Sequence, residues 1–202
     1  MARRMSSRVL VFVAMMSALG NVLSGISILL TPFIPQIPLG PVTMSVAFDL
    51  SHLTTFLSAL YGGPSTGGLT GLIGGLIAAY VFGFSKGNLV NGFAIPIGKA
   101  ITGITASLVY RAIGGGRGKW ALALSPSLAY VPEAIYTSCL FLVILPLVIG
   151  IPALVFYPIL VAILIKAWVE MLIIGWIVTV LSRNKAFGTT IGGFFREGTS
   201  SN

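Results

Sequence analysis

The chain has 202 residues; 56% are hydrophobic and only 8% are charged, with twelve Lys or Arg against four Asp or Glu. Soluble domains carry about 25% charged residues. A soluble surface and a disordered chain are therefore both excluded, and the mean hydropathy of +1.01 points to lipid. One cysteine excludes an intrachain disulfide and a cysteine-rich metal site, and one histidine excludes a multi-histidine site.

A membrane-crossing helix needs about 20 mainly apolar residues, and six segments are read as spans. The first is Arg8–Leu30, with Ala14 and Ala18 four apart and Ser17, Asn21 and Gly25 on an adjacent face. Small residues at that spacing imply a helix contact, internal or with another subunit. Arg3 and Arg4 resemble a signal-peptide start, but the apolar stretch after them is too long and lacks a cleavage site, so it is read as a retained helix. The next segment, Thr31–Ser45, holds Pro32, Pro35, Pro38 and Pro41 and no charge. Its prolines cannot continue a helix. Phe33, Ile34, Ile37 and Leu39 would sit poorly in water, so the loop is expected to fold onto the bundle, as a lid over a site or as a plug.

The second span, Val46–Tyr61, is short and carries Asp49 and His52 on one face. The third, Pro64–Gly83, has Gly67, Gly71, Gly75, Ala79 and Gly83 at spacing four, a face that lets another backbone approach closely. The fourth, Leu89–Ile113, carries Lys99 roughly 15 Å below its outer end. Gly114–Gly118 reads as a flexible inner turn. The fifth span, Trp120–Ile149, is interrupted by Pro126, Pro132 and Pro146 and carries Glu133 midway. The sixth, Val155–Leu181, carries Lys166 and Glu170 on one face. The expected architecture is an all-α, polytopic six-helix domain over residues 1–183, followed by a mobile tail over 184–202.

With the N-terminus placed inside, the inner segments hold Arg3, Arg4, Arg8, Arg111, Arg117, Lys119, Arg183, Lys185 and Arg196, and the outer loops hold only Lys86. This fits the positive-inside rule for an even number of spans, with both termini cytoplasmic. The net charge of +8 is thus a topology signal, and no basic stripe interleaved with aromatics suggests nucleic acid.

Charged residues at the centre of a membrane helix cost at least about 2.5–3.5 kcal/mol each on insertion scales. Those retained point either to mutual pairing or to a polar cavity. Pairing would join Lys166 to Glu170, and Lys99 to Asp49 or Glu133. A cavity would gather Asp49, His52, Lys99, Glu133 and Lys166 around a small polar ligand. Phe48, Tyr80, Phe82, Tyr130, Tyr136 and Trp168 are candidates to stack on a planar ring or simply to pack.

Enzyme chemistry has little support. The nearest approach to a P-loop ends in Gly118-Lys119, but Ile113 occupies its first glycine position and Trp120 replaces the magnesium-binding hydroxyl. His52 and Ser51 are helix neighbours pointing about 100° apart, which makes no nucleophile–base pair. No HExxH zinc motif exists.

The stretch Leu39–Gly75 contains Gly40-Pro41, Asp49-Leu50-Ser51, Gly63-Pro64 and a glycine-rich span. Together with the Ala14-x-x-x-Ala18 pair and Ile165–Ile173, it resembles the substrate-binding S components of energy-coupling factor (ECF) vitamin transporters. The resemblance implies a six-helix subunit that captures a vitamin or related precursor in a prokaryotic plasma membrane, with the outer loop as a lid. It implies a transmembrane coupling subunit contacting Ala14 and Ala18, and two cytosolic ATPases, which agrees with the missing P-loop. The N-terminal histidine motif of the cobalt and nickel members is absent, so neither a metal nor a catalytic cofactor is expected. A lysine of span six contacts flavin in some riboflavin members, and Lys166 falls in a comparable place, favouring riboflavin. The sequence leaves open a stand-alone oligomeric transporter or channel, self-associating through the glycine-rich span, and a ligand-free scaffold subunit.

Overall fold

A computed structural model of the chain describes residues 5–34, 36–39, 42–45, 48–113 and 120–196. Arg3, Arg4, Pro35, Gly40, Pro41, Val46, the Gly114–Gly118 turn with Arg117, Lys119 and Glu197 fall outside them, so the expectations that rest on these residues are not addressed. The helices are α1 (Ser7–Leu30), α2 (Ser51–Gly62), α3 (Pro64–Gly74), α4 (Leu76–Phe82), α5 (Leu89–Ala112), α6 (Ala121–Cys139), α7 (Leu145–Ile149), α8 (Ala153–Arg183) and α9 (Lys185–Arg196). Between α1 and α2 the loop forms an antiparallel hairpin of β1 (Gln36–Leu39) and β2 (Val42–Ser45), pairing Ile37 with Met44 and Pro38 with Thr43.

Among the described residues, five stretches are long and apolar enough to cross a membrane: Ser7–Phe33, Pro64–Lys86, Leu89–Ala112, Ala121–Ile149 and Ala153–Arg183. They agree closely with five of the six expected spans. The second is shorter than expected: α2 has 12 residues, or about 18 Å of helix. Asp49 marks its start: just ahead of the helix, the Asp49 carboxylate accepts the backbone N–H of Ser51, the first helical residue, at 3.0 Å.

The outside departs from that of a soluble protein, while the interior keeps apolar clusters such as Phe56, Leu57, Met171 and Ile174. Large apolar side chains face outward, including Val11, Met15, Leu19 and Val22 on α1 and Ile165, Leu172 and Trp176 on α8. The interior holds small polar residues such as Ser17, Thr54, Thr55, Ser58, Thr66, Thr70 and Thr102. Lipid removes the penalty on the outer face, while close helix approach and interhelical hydrogen bonds favour small residues inside.

The glycine face of the third span is consumed within the bundle, where α3 and α4 lie against α5. A Cβ on Gly67 would strike the Gly103 carbonyl and Ala59, one on Gly71 would strike the Lys99 carbonyl, and one on Gly83 would strike Gly92. Backbone rests on backbone along this seam, which only glycine permits.

The third span is also two helices rather than one, breaking at Gly75. Asn21 of α1 repairs the break: its side-chain amide donates to the Ile73 carbonyl at 2.8 Å and accepts from the Ile77 N–H at 2.9 Å. Broken backbone inside a bilayer needs such partners. The fifth span contains a π-helical turn, Leu140–Ile144, in which the Leu145 N–H reaches back to the Leu140 carbonyl. It directly precedes Pro146, whose ring lacks a donor and crowds the carbonyl four residues back.

Part of the tail is helical. In α9, Phe187 meets Tyr61 edge-to-face with ring centroids 6.4 Å apart, and Phe195 meets Phe12 at 4.9 Å. These rings give the helix an apolar side that the high Gly and Thr content conceals.

Replacing Gly71 with valine should lower the unfolding free energy by about 1–3 kcal/mol through overpacking of the seam. Gly25→Ala should leave stability unchanged or raise it by about 0.5–1 kcal/mol, since a Cβ there meets nothing within 4 Å. Thermal unfolding in detergent separates the two.

Candidate functional site

A cavity of about 580 Å³ lies between α5, α6 and α8, bounded also by the start of α2 and the end of α4. That volume falls in the range of small-molecule sites. Its lining includes Asp49, His52, Lys99, Glu133, Tyr136 and Lys166, all six side chains that the sequence singles out as ligand candidates. Glu170 joins them, so the cavity gathers three of the chain's four acidic residues and its single histidine.

The seam between α3 and α5 presses the backbone of Lys99 against Gly71, and the Lys99 side chain, 4% exposed, turns to the start of α2. Its ammonium pairs with the Asp49 carboxylate at 3.0 Å and donates to the Ser51 hydroxyl. Asp49 in turn donates its backbone N–H to Glu170 Oε1 of α8 at 2.8 Å. Elements from three helices are therefore tied at one residue, α5 through the Asp49 carboxylate and α8 through its backbone N–H. Lys166 pairs with Glu170 at 3.7 Å within α8. Of the two partners open to Lys99, the structure selects Asp49; Glu133 instead accepts a hydrogen bond from the Thr102 hydroxyl of α5. Room for the Glu133 carboxylate comes from Gly98, where a Cβ would approach Glu133 Oε1 to 3.1 Å. The structure combines pairing with a polar cavity: the pairs form part of the cavity wall.

Two lining atoms are buried without a hydrogen-bond partner among the described residues, His52 Nδ1 and Asn91 Oδ1. The His52 side chain is only 7% exposed. Orphaned buried polar atoms are uncommon and call for an explanation. The other part of the wall is apolar, with Leu140, Phe141, Leu145, Phe156, Ile159 and Ile163. The π-helical turn contributes here, since Leu140 and Phe141 belong to it.

Of the six aromatic candidates, Phe82, Tyr130 and Tyr136 line the cavity. Tyr80 is 62% exposed on the outer face, and Phe48 and Trp168 also lie outside the lining. Trp168 instead meets Tyr130 edge-to-face at 5.8 Å. Ser51, Asn88, Asn91 and Thr137 escape a reading that looks only for charge. Amides at the head of an apolar span, as in Asn88 and Asn91, are the signal that could have revealed two of them. Among the described residues no group of His, Cys, Asp and Glu is arranged to hold a metal ion.

Ala14 and Ala18 lie on the outer face of α1, both exposed beside Val11, Met15 and Val22. Ser17 and Asn21, on the adjacent face, are turned inward against α3, where the Ser17 hydroxyl reaches the Thr70 carbonyl. The two faces of α1 thus differ in use: one packs the bundle and the other is open.

A family model described as "ECF transporter, substrate-specific component" matches residues 8–182. The chain belongs to this family. Among solved structures, one described as "Structure and mechanism of the S component of a bacterial ECF transporter" aligns with a TM-score of 0.59 and 22% identity. The alignment covers 88% of this chain and 95% of that one, a likeness of fold. No curated protein matches the chain. The protein is accordingly a multi-pass membrane protein and the substrate-specific subunit of an ECF transporter, and α9 lies beyond the matched residues.

Asp49→Asn should destabilise the protein by about 3–5 kcal/mol, because it leaves the Lys99 ammonium buried without its counter-charge. Adding Lys99→Met should recover most of that loss, as measured by thermal unfolding in detergent.

Proposed function

We propose that this chain is the high-affinity capture subunit of an ECF importer for a vitamin or a related small precursor, with riboflavin the first ligand to test. The observation that carries the reading is the cavity of about 580 Å³ within the bundle, where His52 Nδ1 and Asn91 Oδ1 are buried without hydrogen-bond partners among the described residues. A site left with unmet hydrogen-bonding atoms favours a ligand that meets them. In this reading Asp49, His52, Lys99, Glu133, Tyr136 and Lys166 face the ligand, and the aromatic and aliphatic wall holds its ring or chain. Lys166 beside Glu170 is the residue expected to reach a flavin.

The hairpin of β1 and β2 serves as the lid, entered from the outside of a prokaryotic plasma membrane, with both termini cytoplasmic. The protein performs no chemistry on its ligand and needs no catalytic cofactor. Transport energy comes from two cytosolic ATPases acting through a transmembrane coupling subunit, which docks on the Ala14–Ala18 face. That face supports the role because it is exposed, apolar and free of bulky side chains at its two alanines. A stand-alone oligomeric transporter loses its main support, since α5 already covers the glycine face on which self-association would depend.

The test is gentle purification followed by mass spectrometry and absorbance of whatever co-purifies. Recovery of a vitamin-like molecule that rebinds the emptied protein is the expected result; a protein that binds none of a vitamin panel would falsify the reading. Ala14→Trp with Ala18→Trp should abolish pull-down of the coupling subunit while leaving ligand affinity unchanged, because neither alanine touches the cavity.

A further inference from the structure

The cavity wall also restricts the charge of its occupant, a restriction that rests on the capture reading above. Three carboxylates line the wall (Asp49, Glu133, Glu170) against two ammonium groups (Lys99, Lys166). Both ammonium groups are engaged: Lys99 by Asp49 at 3.0 Å and by Ser51, and Lys166 by Glu170 at 3.7 Å. Glu133 has no ion-pair partner among the described residues and is held by the Thr102 hydroxyl alone. The segment from residue 31 to residue 47 contains no Lys, Arg or His and so offers no further cation.

The unmet atoms have the same bias. Asn91 Oδ1 can only accept a hydrogen bond, and so can an ionised Glu133 carboxylate. His52 Nδ1 can accept or donate according to its tautomer. A phosphate or carboxylate carries acceptors and negative charge towards these acceptors, into a wall where carboxylates outnumber ammonium groups three to two. In a low-dielectric site the like charges repel strongly, and among the described lining residues no unpaired cation offsets the desolvation.

We infer that the site takes a neutral or cationic ligand which donates hydroxyl or N–H hydrogen bonds towards Glu133, Asn91 and His52 and rests an apolar ring against Phe141 and Phe156, and that it rejects phosphorylated and carboxylate-bearing relatives of that ligand. The selection works before transport begins, at capture. Riboflavin satisfies it, with hydroxyls on its side chain and no formal charge; riboflavin 5′-phosphate does not.

The test is a calorimetric titration of the purified protein with matched probes: riboflavin against riboflavin 5′-phosphate, thiamine against thiamine diphosphate, and the carboxylates biotin and pantothenate. The expected result is binding of riboflavin or thiamine, with every anionic probe more than about tenfold weaker, since like charges facing each other cost several kcal/mol. An anionic probe binding within tenfold of the best neutral or cationic one overturns the charge selection and leaves the capture reading intact. Binding of no probe overturns the capture reading, and the selection with it. Glu133→Gln keeps an acceptor for Thr102 while removing the charge, and it should narrow the gap between a neutral probe and its phosphate. An unchanged gap in a variant with an unaltered melting temperature removes Glu133 from the selection. If that variant does not fold, the panel on the unmodified protein decides.

Discussion

A carboxylate at the head of α2 can persist inside an apolar bundle only if other elements bring it a cation and donors, and the rest of the structure is arranged around that demand. Asp49 receives the Lys99 ammonium from α5 at 3.0 Å and the Ser51 N–H from its own helix at 3.0 Å. It passes its own backbone N–H to Glu170 of α8. Lys99 reaches this point because α5 lies in backbone contact with α3, and that contact exists because Gly67, Gly71 and Gly103 carry no side chain. The glycine seam therefore acts through the lysine on the Asp49 carboxylate, and through the Asp49 backbone N–H on α8.

The same economy of side chains explains why the interior can be hollow. Lipid supports the outer face, so large apolar residues are free to point outward, and the interior combines apolar clusters such as Phe56, Met171 and Ile174 with buried serine, threonine and glycine. Helices joined by small residues approach closely on one side of the bundle, at α3 and α5. On the other side residues of α5, α6 and α8 enclose the cavity. Backbone irregularities occur where a partner is available. Asn21 satisfies the break at Gly75, and the wide turn before Pro146 places Leu140 and Phe141 in the cavity wall.

Membership of the ECF substrate-specific family makes this bundle a transporter subunit, and the cavity offers a physical basis for specificity in the proposed function. Its charged pairs face an aromatic and aliphatic wall, a division suited to a molecule with a polar end and a ring. The open face of α1 lies away from the cavity, so in the proposed function partner docking and ligand binding use different surfaces of the protein. Separate surfaces let one be altered without the other, provided the glycine seam between them is preserved.

The sequence by itself determined what depends on one helix at a time. Apolar length places α1, α5 and α8 to within a few residues, and the spacing of four makes Lys166 and Glu170 neighbours whatever surrounds them. The charges inside the membrane were also legible as a group, because lipid penalises each of them and so few are present. Tertiary structure alone decided what depends on register between helices. It gave Lys99 to Asp49 and not to Glu133, and turned Tyr80 outward but Tyr136 inward. It also shortened the second span to α2 and brought Asn88, Asn91 and Thr137 to the cavity. The physical reason is that the 3.6-residue repeat relates side chains along one helix, whereas contacts between helices follow from how closely two backbones can approach, a quantity set here by glycines distant in sequence from the residues they bring together.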